Sequence, residues 1–166
     1  MNKTTKIAFI VFITLIIAVI PLYYYTHPDI AQPKGTLQIK GAVDQPTNLT
    51  LTELEAYTVI STKVTVNGHQ GGNGNFTYTG VTLVEILNRA QIQSDTTSVY
   101  IQASDGYGTT LTIEEVQKPS VFIAYKKDGN IMSSLSEGGE GPFRLIIADD
   151  EFSQRWIRDV VAIEVK

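Results

Sequence analysis

The sequence predicts an α+β domain, with a mixed sheet of about seven strands and three short helices, preceded by one apolar N-terminal helix. Three observations carry this prediction. Runs rich in β-branched and aromatic residues recur along the chain, several with alternating polarity. Three Thr-x-x-Glu segments open short helical patterns between these runs. One uninterrupted apolar stretch lies near the N-terminus.

The apolar stretch 7–25 is the first element. Residues 7–22 contain no charged side chain, and with three following tyrosines the stretch reaches about 19 residues, enough for a helix to cross a bilayer. We therefore expect a transmembrane anchor. A cleaved signal sequence is the alternative, although no small-x-small cleavage site follows the apolar core.

The flanks of this stretch predict its orientation. Lys3 and Lys6 precede it without an acidic residue, so residues 1–6 are expected to form a cytoplasmic tail. The proline-containing segment 26–35 is the predicted linker, and residues 36–166 the predicted domain outside the cytoplasm.

The charge and cysteine content exclude several functions. Beyond residue 28 the chain carries 11 basic and 17 acidic side chains, for a net charge of −6. A domain this acidic is a poor candidate for binding nucleic acid, because that function needs clustered cationic side chains. The chain has no cysteine, which excludes disulfides and any thiolate chemistry.

Seven segments have the composition of strands. They are residues 36–43, 59–66, 76–78, 99–103, 121–126, 143–148 and 160–166. After the fifth of them, Asp128-Gly129 predicts a tight hairpin, because this pair tolerates the positive φ angles of a type I′ turn.

Three helices are predicted by capping boxes, in which a threonine hydroxyl and a glutamate three residues later satisfy free backbone N–H groups. The boxes are Thr50 with Glu53, Thr82 with Glu85, and Thr112 with Glu115. Each is flanked by an apolar pair at the spacing of a hydrophobic staple: Leu49/Leu54, Val81/Ile86 and Leu111/Val116.

Two glycine-rich loops, 68–74 and 133–141, are the long irregular segments. His69 in the first loop is a candidate general base or binding residue, although a lone loop histidine is more often simply solvated. The serines of the second loop lack the G-x-S-x-G elbow of hydrolases. The acidic run 149–151 matches no calcium-loop spacing, which favours a solvated turn over a cation site.

The segment 138–144 is the strongest anion-binding candidate on local evidence. Its glycines allow backbone N–H groups to approach an anion, and Arg144 is placed to clamp it. Arg155 and Arg158 follow closely and are candidates to converge on the same place. Local evidence favours the other interpretation, in which Arg144 points outward from a strand and pairs with a carboxylate.

Five motifs follow one another in a particular order. They are Tyr78-Thr-Gly80-Val81-x-Leu83, Ser104-Asp105-Gly106-Tyr107, Ile123-Ala124-Tyr125-x-x-Asp128-Gly129, Gly141-Pro142-x-Arg144-Leu145 and Trp156-Ile157-x-x-Val160. This series resembles the oxidoreductase molybdopterin-binding domain, the fold of sulfite oxidase and its bacterial relatives. The resemblance spans about residues 36–166 and implies that fold for the predicted domain.

The resemblance also implies a set of cofactor-binding residues. In that family the D-G-Y segment shapes the cofactor pocket, the G-P-x-R-L segment closes beside it, and basic residues near the tryptophan hold the pterin phosphate. The matching positions are Asp105, Gly106, Tyr107, Gly141, Pro142, Arg144 and, more loosely, Arg155 and Arg158; His69 completes the candidate set from the first glycine-rich loop.

One essential part of the family pattern is missing. The family binds molybdenum through a cysteine thiolate, and the matching region 64–75 has none, while Tyr78 replaces a usual tryptophan. We therefore expect a non-catalytic module without cofactor, which binds a small anionic ligand or a membrane or surface protein in a pocket between residues 68–78, 105–107 and 133–144. The alternative is a molybdopterin-dependent oxidoreductase, with non-thiolate metal ligation or a partner subunit.

Overall fold

The computed structural model of the protein describes residues 5–6, 9, 12–19, 35–67 and 73–166. The chain divides into two compact units, Met1–Gln32 and Pro33–Lys166. In the first unit, residues 12–19 are helical and exposed. No helix within the described part of the chain is both long and apolar enough to span a membrane. Much of the predicted anchor 7–25 and nearly all of the linker 26–35 lie outside the described residues, so both stay predictions.

The second unit contains ten strands among its described residues. They are β1 (Thr36–Gly41), β2 (Thr47–Thr50), β3 (Val59–Val66), β4 (Gly74–Thr82), β5 (Ser98–Ala103), β6 (Gly108–Thr112), β7 (Val121–Lys127), β8 (Asn130–Ile131), β9 (Arg144–Ile147) and β10 (Val160–Val165). The helices are α1 (Leu51–Glu55), α2 (Leu83–Ala90) and α3 (Ile113–Val116), with 3₁₀ turns at Leu135–Glu137 and Ser153–Arg155.

The strands form two five-stranded sheets. The first has the order β2-β1-β10-β5-β6, in which only β1 and β10 run parallel, with Gln38 opposite Ala162. The second has the order β3-β4-β7-β8, and β9 pairs antiparallel with the other end of β7. The α+β class with mixed strand directions is therefore confirmed.

Three strands escape the sequence prediction, namely β2, β6 and β8. All three lie at sheet edges, and their sequences are short and largely polar. An edge strand is half exposed, so it needs no continuous apolar run and gives little signal. The predicted hairpin is present: Asp128 and Gly129 have φ angles of 48° and 80°, and they join β7 to β8.

All three predicted helices form behind their threonine N-caps. Thr50 and Thr112 make complete capping boxes. At Thr82 the box is half formed: the hydroxyl accepts the Glu85 N–H at 3.4 Å, but the Glu85 carboxylate instead pairs with Arg89 one turn later, at 2.9 Å. An i,i+4 glutamate–arginine pair competes with the cap for the same carboxylate.

The helices are fixed to the sheets by the predicted staples. Each of the three apolar pairs is buried, with exposures between 0 and 5%. They join one contiguous core built from both sheets, with Tyr78, Phe122 and Phe143 among its largest side chains. Burying this apolar surface stabilises the second unit without disulfides.

Candidate functional site

Three loops that carry predicted site residues meet at one end of the sheets. The Asp159 N–H donates to the Glu140 carbonyl at 3.1 Å, and the Ser104 N–H donates to the Asp159 carbonyl at 3.0 Å. The Ser104 hydroxyl also donates to the Asp159 carboxylate. Asp159 thereby connects the D-G-Y turn to the glycine-rich loop 133–141. We call this end of the molecule the loop face, comprising residues 104–107, 138–142 and 158–159.

The D-G-Y segment forms the turn between β5 and β6. The Asp105 carboxylate accepts the Tyr107 N–H at 2.9 Å, and Gly106 takes a φ of 85°, which favours glycine. The Tyr107 side chain is 61% exposed. Asp105 and Gly106 therefore build the turn, while Tyr107 is the member of the segment that presents a large surface to a ligand.

Gly141 and Pro142 lead the chain from the loop into β9. The peptide bond between them is cis, and the Gly141 N–H donates to the Ser133 carbonyl at 2.9 Å. A Cβ atom on Gly141 would lie 2.7 Å from the Met132 Cβ, so the loop packs too closely for a larger residue. This path delivers Arg144 to the start of β9.

Arg144 points inward, with 6% of its surface exposed. Its Nη1 donates to the Tyr78 hydroxyl at 2.9 Å and makes a close ion pair with Glu140 Oε2. The expectation of an outward side chain is therefore wrong, because the register of β9 on β7 sets Arg144 beside Ala124 in the core. The expectation of a carboxylate partner is confirmed.

Two further groups complete this cluster around Glu140. The Tyr78 hydroxyl donates to Glu140 Oε2 at 3.1 Å, and Lys127 Nζ donates to Oε1 at 3.1 Å. Tyr78 and Lys127 are direct neighbours across β4 and β7. We call these four residues the Glu140 cradle: three donors, Arg144, Tyr78 and Lys127, hold the two oxygens of one carboxylate.

The electrostatics of the cradle fix its protonation. Burial raises the pKa of Glu140, but the charges of Arg144 and Lys127 and their hydrogen bonds outweigh it, so this pKa lies below its ordinary value of 4.5. Burial raises the pKa of the Tyr78 phenol, and the negative charge of Glu140 raises it further. Together they outweigh the opposing effect of the Arg144 charge. At neutral pH Glu140 is therefore ionised and Tyr78 is a neutral donor.

Two buried donors at the cradle have no hydrogen-bond partner within the described residues. They are Arg144 Nε and Trp156 Nε1. The guanidinium carbon lies 5.5 Å from the centre of the Tyr78 ring and 5.8 Å from that of Trp156, so the cation is held between two aromatic faces. Buried polar groups normally have partners. Among the described residues, this part of the core therefore has more donors than acceptors.

Arg155 does not join Arg144. Its Nε and Nη2 donate to Asp150 at 3.0 and 2.7 Å, and its Nη1 donates to Glu115 at 2.8 Å. These hydrogen bonds raise its pKa above the ordinary value. The expectation that Arg155 converges with Arg144 is therefore wrong. The Arg155 guanidinium instead links Glu115 of α3 to Asp150 in the connection between β9 and β10. Arg158 is exposed on the loop face, next to Asp159.

The acidic run 149–151 is engaged within the protein. Asp149 accepts a hydrogen bond from the Ser120 hydroxyl at 2.6 Å, and Asp150 holds Arg155. Within the described residues, no group of three or more His, Cys, Asp or Glu side chains is placed to hold a metal ion. His69 lies outside the described residues, so its role stays a prediction.

An open depression of about 390 Å³ adjoins the cradle. Lys127 and Glu140 line it together with Met132, Ser133 and Gly139. The depression gives solvent access to the outer side of the Lys127–Glu140 pair. Lys127 and Glu140 were not predicted as individual site residues; the available signal was a glutamate between glycines, four residues before Arg144.

Comparisons with known proteins agree on the fold. A family model described as the oxidoreductase molybdopterin binding domain matches residues 24–166. Among solved structures, the sulfane dehydrogenase SoxCD from Paracoccus pantotrophus superposes with a TM-score of 0.67 and 20% sequence identity. The match covers 80% of this chain but only 39% of that chain. No curated protein matches the sequence significantly.

Proposed function

Because the chain belongs to the oxidoreductase molybdopterin-binding domain family, we propose that it uses this fold as a non-catalytic binding module outside the cytoplasm. In this proposal the loop face binds a small ligand or a protein partner. Tyr107 and Arg158 supply its exposed aromatic and cationic groups. A shared fold does not by itself determine the function of a protein, so the proposal depends on the residues of the site.

The observation that carries this proposal is the chemistry of the donor set. The family's metal centre needs a soft thiolate, and the chain has no cysteine to supply one. Arg144, the buried cation of the G-P-x-R segment, is already neutralised by Glu140 rather than left for a cofactor phosphate. The residues present therefore do not fit the metal end of the cofactor.

The N-terminal stretch 7–25 is proposed to tether this module. Its uncharged apolar sequence and the preceding Lys3 and Lys6 support a single membrane pass with the N-terminus inside the cell. The tether would concentrate the loop face near the membrane, where a weak ligand or partner interaction gains from the raised local concentration.

A second candidate function is a molybdopterin-dependent oxidoreductase. The family description and the likeness to a sulfane dehydrogenase favour it. For this function, the metal would need a non-thiolate ligand, or a partner subunit would have to complete the site. The chain spans less than half of the dehydrogenase chain, so residues from elsewhere would have to enclose the cofactor.

Molybdenum content separates the two candidates. The full chain is expressed in a host that makes molybdopterin, purified in detergent, and assayed for molybdenum by elemental analysis and for pterin by fluorescence after oxidation. We expect far less than one molybdenum per chain. A cysteine-containing member of the same family, prepared in parallel, is the positive control. Stoichiometric metal with pterin in our chain would overturn the binding-module proposal.

A further inference from the structure

The Glu140 cradle has the stereochemistry of a carboxylate-binding site. Two donors, Arg144 Nη1 and the Tyr78 hydroxyl, meet on one oxygen, and Lys127 Nζ holds the other. Arginine and lysine bind carboxylates through such charge-assisted hydrogen bonds. The carboxylate in the cradle is the protein's own.

The donors and the acceptor differ in how they are held. Arg144, Tyr78 and Lys127 stand on paired strands of the second sheet, so their positions are fixed by the ladder. Glu140 stands in the irregular loop between a 3₁₀ turn and β9, with Gly139 before it and Gly141 after it. The three donors therefore stand on the sheet, while the carboxylate that they hold stands in a loop.

Solvent reaches the cradle from one side. The Glu140 and Lys127 side chains are 25% and 27% exposed, and both line the depression of about 390 Å³. The Arg144 side chain behind them is 7% exposed. A small molecule in the depression would therefore meet Lys127 first and Arg144 last.

Charge balance decides what can replace Glu140. If its carboxylate withdrew alone, Arg144 would be left as an uncompensated buried cation, which is strongly unfavourable. The nearby Asp128 carboxylate is occupied, because it accepts the Thr77 N–H at 2.8 Å. An incoming carboxylate restores the balance, because its two oxygens can take the places of Glu140 Oε2 and Oε1.

We propose that Arg144, Lys127 and Tyr78 form a binding site for a small organic monocarboxylate, and that Glu140 occupies it as a built-in competitor. The inference deepens the proposed function, on which it rests, by naming the ligand class. The ligand enters from the depression, takes over the contacts to Lys127, Tyr78 and Arg144, and displaces the Glu140 side chain.

Acetate binding to the full chain in detergent tests this proposal. Saturation-transfer NMR and thermal-shift titration with sodium acetate, with sodium chloride and sulfate as salt controls, are applied to the wild type, Glu140→Ala, Lys127→Met and Glu137→Ala. Glu137 is the matched control, because its carboxylate lies in the same loop but caps Ser134 instead.

We expect saturable acetate binding to the wild type that is lost in Lys127→Met and unchanged in Glu137→Ala. Glu140→Ala is expected to bind acetate at least about tenfold more tightly, since the internal competitor is gone. If Glu140→Ala does not fold, the wild type and Lys127→Met still decide the question.

Two outcomes overturn the proposal. Acetate binding to Glu140→Ala without any to the wild type would make Glu140 a permanent structural ion pair. Equal binding of sulfate would contradict the carboxylate class. Neither outcome bears on the molybdenum assay, so a failure here and a failure of the proposed function are distinguishable.

Discussion

At the scale of single residues, Glu140 determines the state of the candidate site. Its carboxylate compensates Arg144 and holds Lys127 and Tyr78 in place. Removing one partner of a buried pair costs more than the pair contributes, because the remaining charge is left without compensation. The stability of this region should therefore depend strongly on one loop residue.

Glu140→Ala is expected to lower the free energy of unfolding by about 2–4 kcal/mol, somewhat below the range for fully buried pairs because Glu140 is partly exposed. Urea unfolding followed by Trp156 fluorescence measures the change. Glu137→Ala, whose carboxylate caps an exposed turn, should cost about 1 kcal/mol or less. Similar losses in both variants would contradict the central role of Glu140.

Acid should remove the Glu140 contribution. Because the pKa of this group is lowered in the folded state, its stabilisation is present above the ordinary pKa of 4.5 and is lost as the pH falls below it. The stability difference between the wild type and Glu140→Gln should therefore be constant near neutral pH and shrink below about pH 4.5. Urea titrations at several pH values test this; a difference that persists in acid would be contrary evidence.

At the scale of elements, the β4–β7 pairing positions the cradle, and Gly80 makes that pairing possible. The register shifts between Thr79 and Gly80, and a Cβ atom on Gly80 would lie 2.0 Å from the Ile123 carbonyl oxygen. The irregularity lies two residues from Tyr78. A change at this glycine should therefore disturb both the sheet and the site.

Gly80→Ala is expected to prevent stable folding, because the clash is with backbone that belongs to the sheet. Gly106→Ala is the matched control: its φ of 85° is unfavourable for alanine, but no atom lies within 4 Å of the added Cβ. We expect that variant to fold with a loss of about 1 kcal/mol. Circular dichroism and urea unfolding compare the two, and a well-folded Gly80→Ala would show that the sheet can adjust.

The same elements show which parts of the fold a sequence can predict. The threonine N-caps and the Asp128-Gly129 turn are local devices and form where expected, although the box at Thr82 is completed only on the threonine side. The cradle is different in kind, because Tyr78, Lys127 and Arg144 meet only through the registers of β4, β7 and β9. Strand registers cannot be read from residue spacing along the chain, so the motifs indicated Tyr78 and Arg144 separately but not their contact.

At the scale of the whole molecule, the sequence predicts a domain held outside the cytoplasm by residues 7–25. We expect the full chain to remain with the membrane fraction after alkaline wash. A C-terminal tag should be accessible to protease in cells with a permeable outer layer, and an N-terminal tag should be protected. Removing residues 7–22 is the control and should release the domain from the membrane. Protection of the C-terminal tag would reverse the proposed orientation.

The place of β10 in the first sheet has a consequence for biosynthesis. Gln38 in β1 pairs with Ala162 in β10, so the hairpin of β1 and β2 has no inner neighbour until residues 160–165 have been made. Contacts this distant in sequence form slowly, and the first sheet cannot close on a growing chain. The first sheet therefore stays incomplete until residues 160–165 have left the ribosome, and until then the inner edge of β1 has no partner strand.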